Sequence, residues 1–335
     1  MRHPVCKRGN MADILTIAGQ NLLTPVILSF ALGMFAALAR SELTVPEAMA
    51  KAMSIYLMFA IGFKGGVAVA DYGLDGQLLA SIMGGVALSF ALPLVAFGLL
   101  ALMTRMSVLD RAAVSAHYGS ISIVTFVTAV SLLNGRGISS EGFMVAVAAA
   151  MEAPAIVSAL WLATRSGTGA RMDAKLWHDI LLNGSIVLLV GSFLIGFATG
   201  AEGMARIESF IVAPFQGVLC LFLLDMGLIA GRGLRGVRGT LGIGALSFGI
   251  VMPVIGAAAG LGVGLVLGLS AGGVALMMTL AASASYIAVP AAMRVALPEA
   301  NPSIYLTLSL GVTFPFNLIF GLPAYVAVAL AATGG

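Results

Sequence analysis

Two stretches decide how this chain folds: Tyr118-Gly119-Ser120-Ile121-Ser122-Ile123-Val124-Thr125 and Ala282-Ser283-Ala284-Ser285-Tyr286-Ile287-Ala288-Val289-Pro290. Each is a polar cluster in the middle of an otherwise apolar run. The β-branched run Ile121–Thr125 forms helix poorly. Pro290 removes a backbone donor and disfavours helical geometry at Val289. Both segments are therefore expected to unwind and restart as second half-helices. A restarted half-helix presents free N–H groups and the positive end of its dipole, and two such ends meeting make an anion pocket without a basic side chain. Serine and threonine hydroxyls there cap the half-helices or hold a ligand. Such residues also bond back to carbonyls one turn earlier in ordinary membrane helices, so the clusters alone leave both readings open.

The rest of the chain says which solvent surrounds these clusters. Of 335 residues, 60% are hydrophobic and 9% charged, against roughly 25% charged in soluble domains. Mean hydropathy is +1.07. A water-soluble single core, a disordered chain and a nucleic-acid binder are excluded. At roughly 20 apolar residues per span, the length accommodates about ten spans. Hydropathy puts them near 13–38, 48–69, 77–103, 112–133, 142–164, 178–199, 207–230, 239–268, 272–296 and 303–331. The fold class expected is an all-α polytopic membrane protein, two inverted five-helix repeats with helices four and nine broken. Two cysteines, Cys6 and Cys220, make no disulfide framework, and no protease, hydrolase or nucleotide-binding motif occurs, so no catalytic residues are assigned.

Basic residues near span ends orient the chain. Arg40, Lys51, Arg105, Arg111, Arg165, Arg171, Lys175, Arg232, Arg235, Arg238 and Arg294 fall on one side, Arg136 and Arg206 on the other. Both termini are then expected outside. The basic leader 1–11 reads as an unstructured extension or mis-assigned start, since a second Met follows at 11. The polar link 165–177 divides a first repeat, 12–164, from a second, 178–332. Five spans per half force opposite orientations, the architecture of many secondary transporters. A weak echo aligns Gly62 with Gly227 and Gly66 with Gly231.

Charges inside apolar runs are expensive and mark function. Glu152, in Met151-Glu152-Ala153-Pro154, lies midway along span five. Pro154 frees a carbonyl that helps complete an oxygen cage for Na⁺. A protonated structural carboxyl is the plainer alternative. Asp225, Lys64 and His117 are secondary candidates: Lys64 and Asp225 as paired or path-lining charges, His117 as a proton relay or a packed imidazole.

At these residues the chain resembles the sodium-dependent bicarbonate transporter family. The similarity runs from Met11 onward and rests on Val45-Pro46-Glu47-Ala48, Ile61-Gly62-Phe63-Lys64-Gly65-Gly66, Met226-Gly227 with Ala230, and Arg294 followed by Ala300-Asn301-Pro302-Ser303. The resemblance implies spans one, two, six and seven as a gate, the others as a core, a homotrimer, inner-membrane localisation and a cytoplasmic partner related to PII signalling proteins. It also implies Na⁺-driven bicarbonate uptake. Gly119, Ser120, Ser122, Ile123, Val124, Thr125, Ser285, Tyr286 and Ile287 would line the anion site. Glu152, Ser122, Thr125, Ser283 and Ser285 would hold the coupling Na⁺, with Glu152 as its carboxylate. The family's Ser-Gly-Ser-Thr pattern becomes Ser122-Ile123-Val124-Thr125, its span-five aspartate becomes Glu152, and its Ser-Ser-Ser-Asp becomes Ser283-Ala284-Ser285-Tyr286. Its Gly-Pro-Pro becomes Val289-Pro290-Ala291. Loss of one carboxylate weakens a cation site and bulkier side chains reshape an anion pocket. Symport of another small anion or carboxylate with Na⁺ or H⁺, and a non-transporting receptor or scaffold, stay open.

Overall fold

The computed structural model describes residues 24–73, 75–165, 184–236, 241–286 and 288–334, with His178 and Leu182. The leader, the start of the first span, link residues 166–177 and Ile287 lie outside the described residues. Among the described residues the regular structure is all helical, with no strand. The helices are α1 (Pro25–Leu38), α2 (Glu47–Tyr72), α3 (Gly76–Met103), α4 (Val108–His117), α5 (Ile123–Gly135), α6 (Met144–Ala150) and α7 (Pro154–Arg165). There follow α8 (Gly184–Ile211), α9 (Phe215–Gly236), α10 (Ile243–Val266), α11 (Ala271–Ala282), α12 (Ala288–Ala296) and α13 (Pro302–Thr333). Seven helical stretches are long and apolar enough to cross a membrane, with α6 and α7 counted as one. Three more apolar helices, α1, α5 and α11, are shorter.

Starts follow local chemistry. Asp75 accepts from Leu78 N at 2.8 Å to cap α3, Ser107 caps α4 through Asp110 N at 3.0 Å, and Ser270 caps α11 through Gly273 N at 3.1 Å. Asn301 with Pro302 at the first helical position opens α13. This satisfies amides that a helix start leaves without partners.

Two long helix pairs form one body. α8 lies along α2 and α9 along α1. Glycines let their backbones touch, the usual packing where lipid supplies no hydrophobic drive. A Cβ on Gly66 would fall 1.9 Å from Phe193 O, and one on Gly196 2.1 Å from Phe63 O. In the other pair a Cβ on Gly227 would fall 2.1 Å from Phe30 O, and one on Gly33 2.0 Å from Leu224 O. Gly66 meets Phe193 O and Phe197 N, and Gly227 meets Phe30 O and Met34 N. Gly231 meets the Ala37 side chain and Met34 O instead. Gly66 thus shares a carbonyl-and-amide contact pattern with Gly227, and Gly62 shows the same pattern against Leu189 O and Phe193 N.

The second body packs α3 against α4, α6 and α7, and α10 against α11, with α13 beside α11. Two loops clamp it. Glu141 accepts from Ser270 N at 2.6 Å and from Ser270 Oγ at 3.1 Å at the start of α11. Asp110, in the first turn of α4, accepts from Asn301 N at 2.8 Å. The Ala300-Asn301-Pro302-Ser303 run thereby serves as a clamp. Asn301 holds α4 through its backbone and caps Ser303 N at 3.0 Å through its side chain.

Candidate functional site

The breaks expected in spans four and nine are present. α4 ends at His117 and α5 starts at Ile123; α11 ends at Ala282 and α12 starts at Ala288. Pro290 stands in the first turn of α12, where its missing N–H costs no hydrogen bond. The two interruptions are bonded to each other. Ser285 N donates to His117 O at 2.8 Å, and His117 Nδ1 lies 2.5 Å from Ser285 O. A carbonyl only accepts, so Nδ1 carries the proton and Nε2 presents a lone pair. Ser122 N donates to Ser283 Oγ at 2.9 Å, while Ser283 Oγ donates to Leu280 O at 2.9 Å.

Ser122 caps α5, accepting from Thr125 N at 3.2 Å and Thr125 Oγ1 at 2.9 Å. The amides of Ile123 and Val124 have no acceptor among the described residues. Ser120 Oγ and His117 Nε2 are also buried without a partner, and the Tyr286 hydroxyl lies close to Ser122 without a well-formed hydrogen bond. Buried polar groups are nearly always bonded. Several left open at one crossing mark a place where a polar ligand fits. Gly119 is explained by packing, since a Cβ there would fall 2.3 Å from Pro93 Cγ. Ring contacts wall the crossing, with His117 stacked on Tyr305 at 4.7 Å and Tyr286 edge-on to Phe314 at 5.3 Å.

Glu152 sits in a third interruption, Met151–Ala153, between α6 and α7. The residue is 5% exposed, and its carboxylate makes no hydrogen bond or ion pair among the described residues. Pro154 cannot donate to the carbonyl of Ala150, which stays open. Ser89 Oγ donates to Met151 O at 2.6 Å and holds the break against α3. Among the described residues no hydrogen bond joins Glu152 to Ser122, Thr125, Ser283 or Ser285. Clusters of three or more His, Cys, Asp or Glu are absent among the described residues. A cation there would have one carboxylate and neutral oxygens, a charge balance suited to a monovalent ion.

Asp225 and Lys64 belong to the other body. Asp225, on α9, is buried with Oδ2 unpartnered, and Arg232 is the cation that bears on it. Lys64, on α2, places Nζ 4.6 Å from the Phe215 ring centre. They form no ion pair with each other.

Sequence reasoning missed Thr313 and Asn317. Thr313 Oγ1 lies 2.6 Å from Gly249 O and 2.7 Å from the Tyr118 hydroxyl. Since Gly249 O can only accept, Tyr118 donates to Thr313. Asn317 Nδ2 donates to Ala282 O at 2.8 Å, closing the buried C-terminal end of α11, and is itself held by the Tyr325 hydroxyl at 2.7 Å. Both lie where α13 carries π-helical turns, Thr307–Thr313 and Asn317–Gly321. Their signal was available: two polar residues beside Pro315 inside an apolar run.

These helices define a multi-pass helical membrane protein. The sequence model of the Na⁺-dependent bicarbonate transporter superfamily matches residues 25–330, and the chain belongs to that superfamily. Membership places it in a superfamily of transporters. A search of curated proteins returns no match.

Proposed function

We propose that the chain is a secondary active transporter that imports bicarbonate with Na⁺ by alternating access. The observation that carries this is the bonded crossing of two interrupted helices with unpartnered amides and Ser120, beside a third interruption holding an unpartnered acid. The anion would take the Ile123 and Val124 amides and the Ser120 hydroxyl, with Tyr286 at its edge. Na⁺ would take the Glu152 carboxylate and the open Ala150 carbonyl. Ser122, Thr125 and Ser283 would hold the crossing in shape through their bonded hydroxyls, and Ser285 would do so through its backbone amide and carbonyl.

Many transporters achieve alternating access with two related halves, here 12–164 and 178–332. Several pairs support this reading. Pro93 and Pro253 lie inside α3 and α10. Ser107 and Ser270 cap α4 and α11, and each cap is clamped by the loop that precedes α6 or α13. Gly66 and Gly227 share one contact geometry. The body of α1, α2, α8 and α9 would be the gate and the rest the moving core. The reading extends, on family grounds, to a homotrimer in the inner membrane with a PII-like cytoplasmic regulator, and, on the placement of basic residues, to both termini outside.

A proton-coupled version is favoured by one observation, the unpartnered Nε2 of His117. Purified protein in proteoliposomes separates these. A bicarbonate and carboxylate screen with and without a Na⁺ gradient is expected to show gradient-driven accumulation of bicarbonate. Replacing external Na⁺ by choline abolishes uptake under the Na⁺ reading and leaves it unchanged under the proton reading. Absence of any gradient-dependent uptake leaves a receptor or scaffold.

A further inference from the structure

A cleft of about 440 Å³ opens between the two bodies, lined by α2, α5, α6, the start of α9 and one residue of α11. Its polar walls are Lys64, Ser131, Asn134, Ser140, Glu141 and Gln216, and Phe126 is its lining residue nearest the start of α5. Phe126 is one turn beyond Ser122, about 6 Å along the helix axis. The cleft therefore reaches close to the four–nine crossing without including it.

The charges in this cleft are unequal in effect. Glu141 accepts from the amide and hydroxyl of Ser270, at the positive end of α11, which offsets its charge. Gln216 is tied to Ser131 Oγ at 2.7 Å across the two bodies. Lys64 has no carboxylate within salt-bridge reach among the described residues. Its ammonium rests over the Phe215 ring, half-buried, where a cation is held in place but keeps its donors. A cation fixed in a narrow apolar-walled cleft raises the local concentration of anions.

We infer that this cleft is an anion-collecting vestibule, in which Lys64 binds a small monovalent oxyanion before it passes to the crossing. The inference rests on the transport reading. It adds a site separate from the crossing, and it gives Lys64 a docking role that the glycine seam does not explain. The matched geometry of Gly66 and Gly227 sets Lys64 against Asp225, two residues earlier in each helix. The gate would then carry a cation in one cleft and an anion at the equivalent place in the other half. Fixed charges cannot change the overall driving force, but they do set how readily each face captures the anion.

The test uses purified full chain in proteoliposomes and in detergent, with radiolabelled bicarbonate and acetate. In vesicles, Lys64→Gln is expected to raise the half-saturating bicarbonate concentration about tenfold, with the maximal rate within about twofold. Lys64→Arg is expected to restore it. Asn134→Asp, at the exposed lip, keeps the seam intact and is expected to raise half-saturation in the same direction. Unchanged half-saturation in Lys64→Gln, or in Asn134→Asp should Lys64→Gln fail to fold, overturns the vestibule. Wild-type protein that transports nothing overturns the transport reading instead. Direct binding to the detergent-purified protein then decides: about tenfold weaker binding by Lys64→Gln supports the vestibule, and equal binding by both, or none by wild type, overturns it.

Discussion

Met151-Glu152-Ala153-Pro154 and Val312-Thr313-Phe314-Pro315 are the same device built in two ways. Each sets a polar residue two places before a proline, and each is tied to a proline-containing helix by one hydrogen bond. Ser89 of α3 donates to Met151 O, and Thr313 donates to Gly249 O of α10. At Glu152 the helix stops for three residues. At Thr313 it continues through π-helical turns. The Thr313 hydroxyl is satisfied on both sides, by Gly249 O and Tyr118, while the Glu152 carboxylate bonds to no described residue. The neutral Thr313 hydroxyl is satisfied by its neighbours. A carboxylate left open there is costly unless something binds it. The difference is the ground for the proposal that an ion takes the first interruption, while the second gives structural support.

Four substitutions break or sharpen this contrast. Glu152→Ala carries the largest effect: uptake in proteoliposomes is abolished while expression and size-exclusion profile stay normal. Near-normal transport by that variant removes Glu152 from the mechanism. Glu152→Asp keeps the charge and shortens the arm, so uptake persists with a shifted half-saturating Na⁺ concentration; an unaltered Na⁺ dependence would show that the carboxylate does not touch the ion. Ser283→Ala removes the acceptor of the buried Ser122 amide. Its cost is about 1–3 kcal/mol of stability, read as a lower unfolding temperature together with slower uptake. An unchanged unfolding temperature would mean that the crossing is not held by this bond. Thr313→Val is the smallest in transport: a similar loss of stability, about 1–3 kcal/mol, with uptake within about threefold of wild type. A transport defect as deep as that of Glu152→Ala would erase the distinction between the two interruptions.

The body of α1, α2, α8 and α9 makes a related point about glycine. In an apolar helix, residues one turn apart lie on the same face, so sequence comparison cannot choose between neighbouring registers. Gly62 and Gly66 both line the seam with α8, as Gly227 and Gly231 line that with α1. Only the approaching backbone, Phe193 O in one pair and Phe30 O in the other, distinguishes them. The clamp at Asp110 and Asn301 is legible only with both loops in place, because its halves are 191 residues apart.

From the chain alone one reads what depends on local chemistry and solvent. Apolar runs demand helices in lipid because every backbone group must be bonded internally. Pro290 and the Ile121–Thr125 cluster interrupt them, and the lone acid at Glu152 stands out against its surroundings. The tertiary structure decided which interruptions face each other, through His117–Ser285 and Ser122–Ser283. It also assigned Thr313 and Asn317 to the same centre and left Glu152 unpartnered. A hydrogen bond is a property of two groups at a distance of about 3 Å, and no pattern within one segment records which remote segment will supply the second.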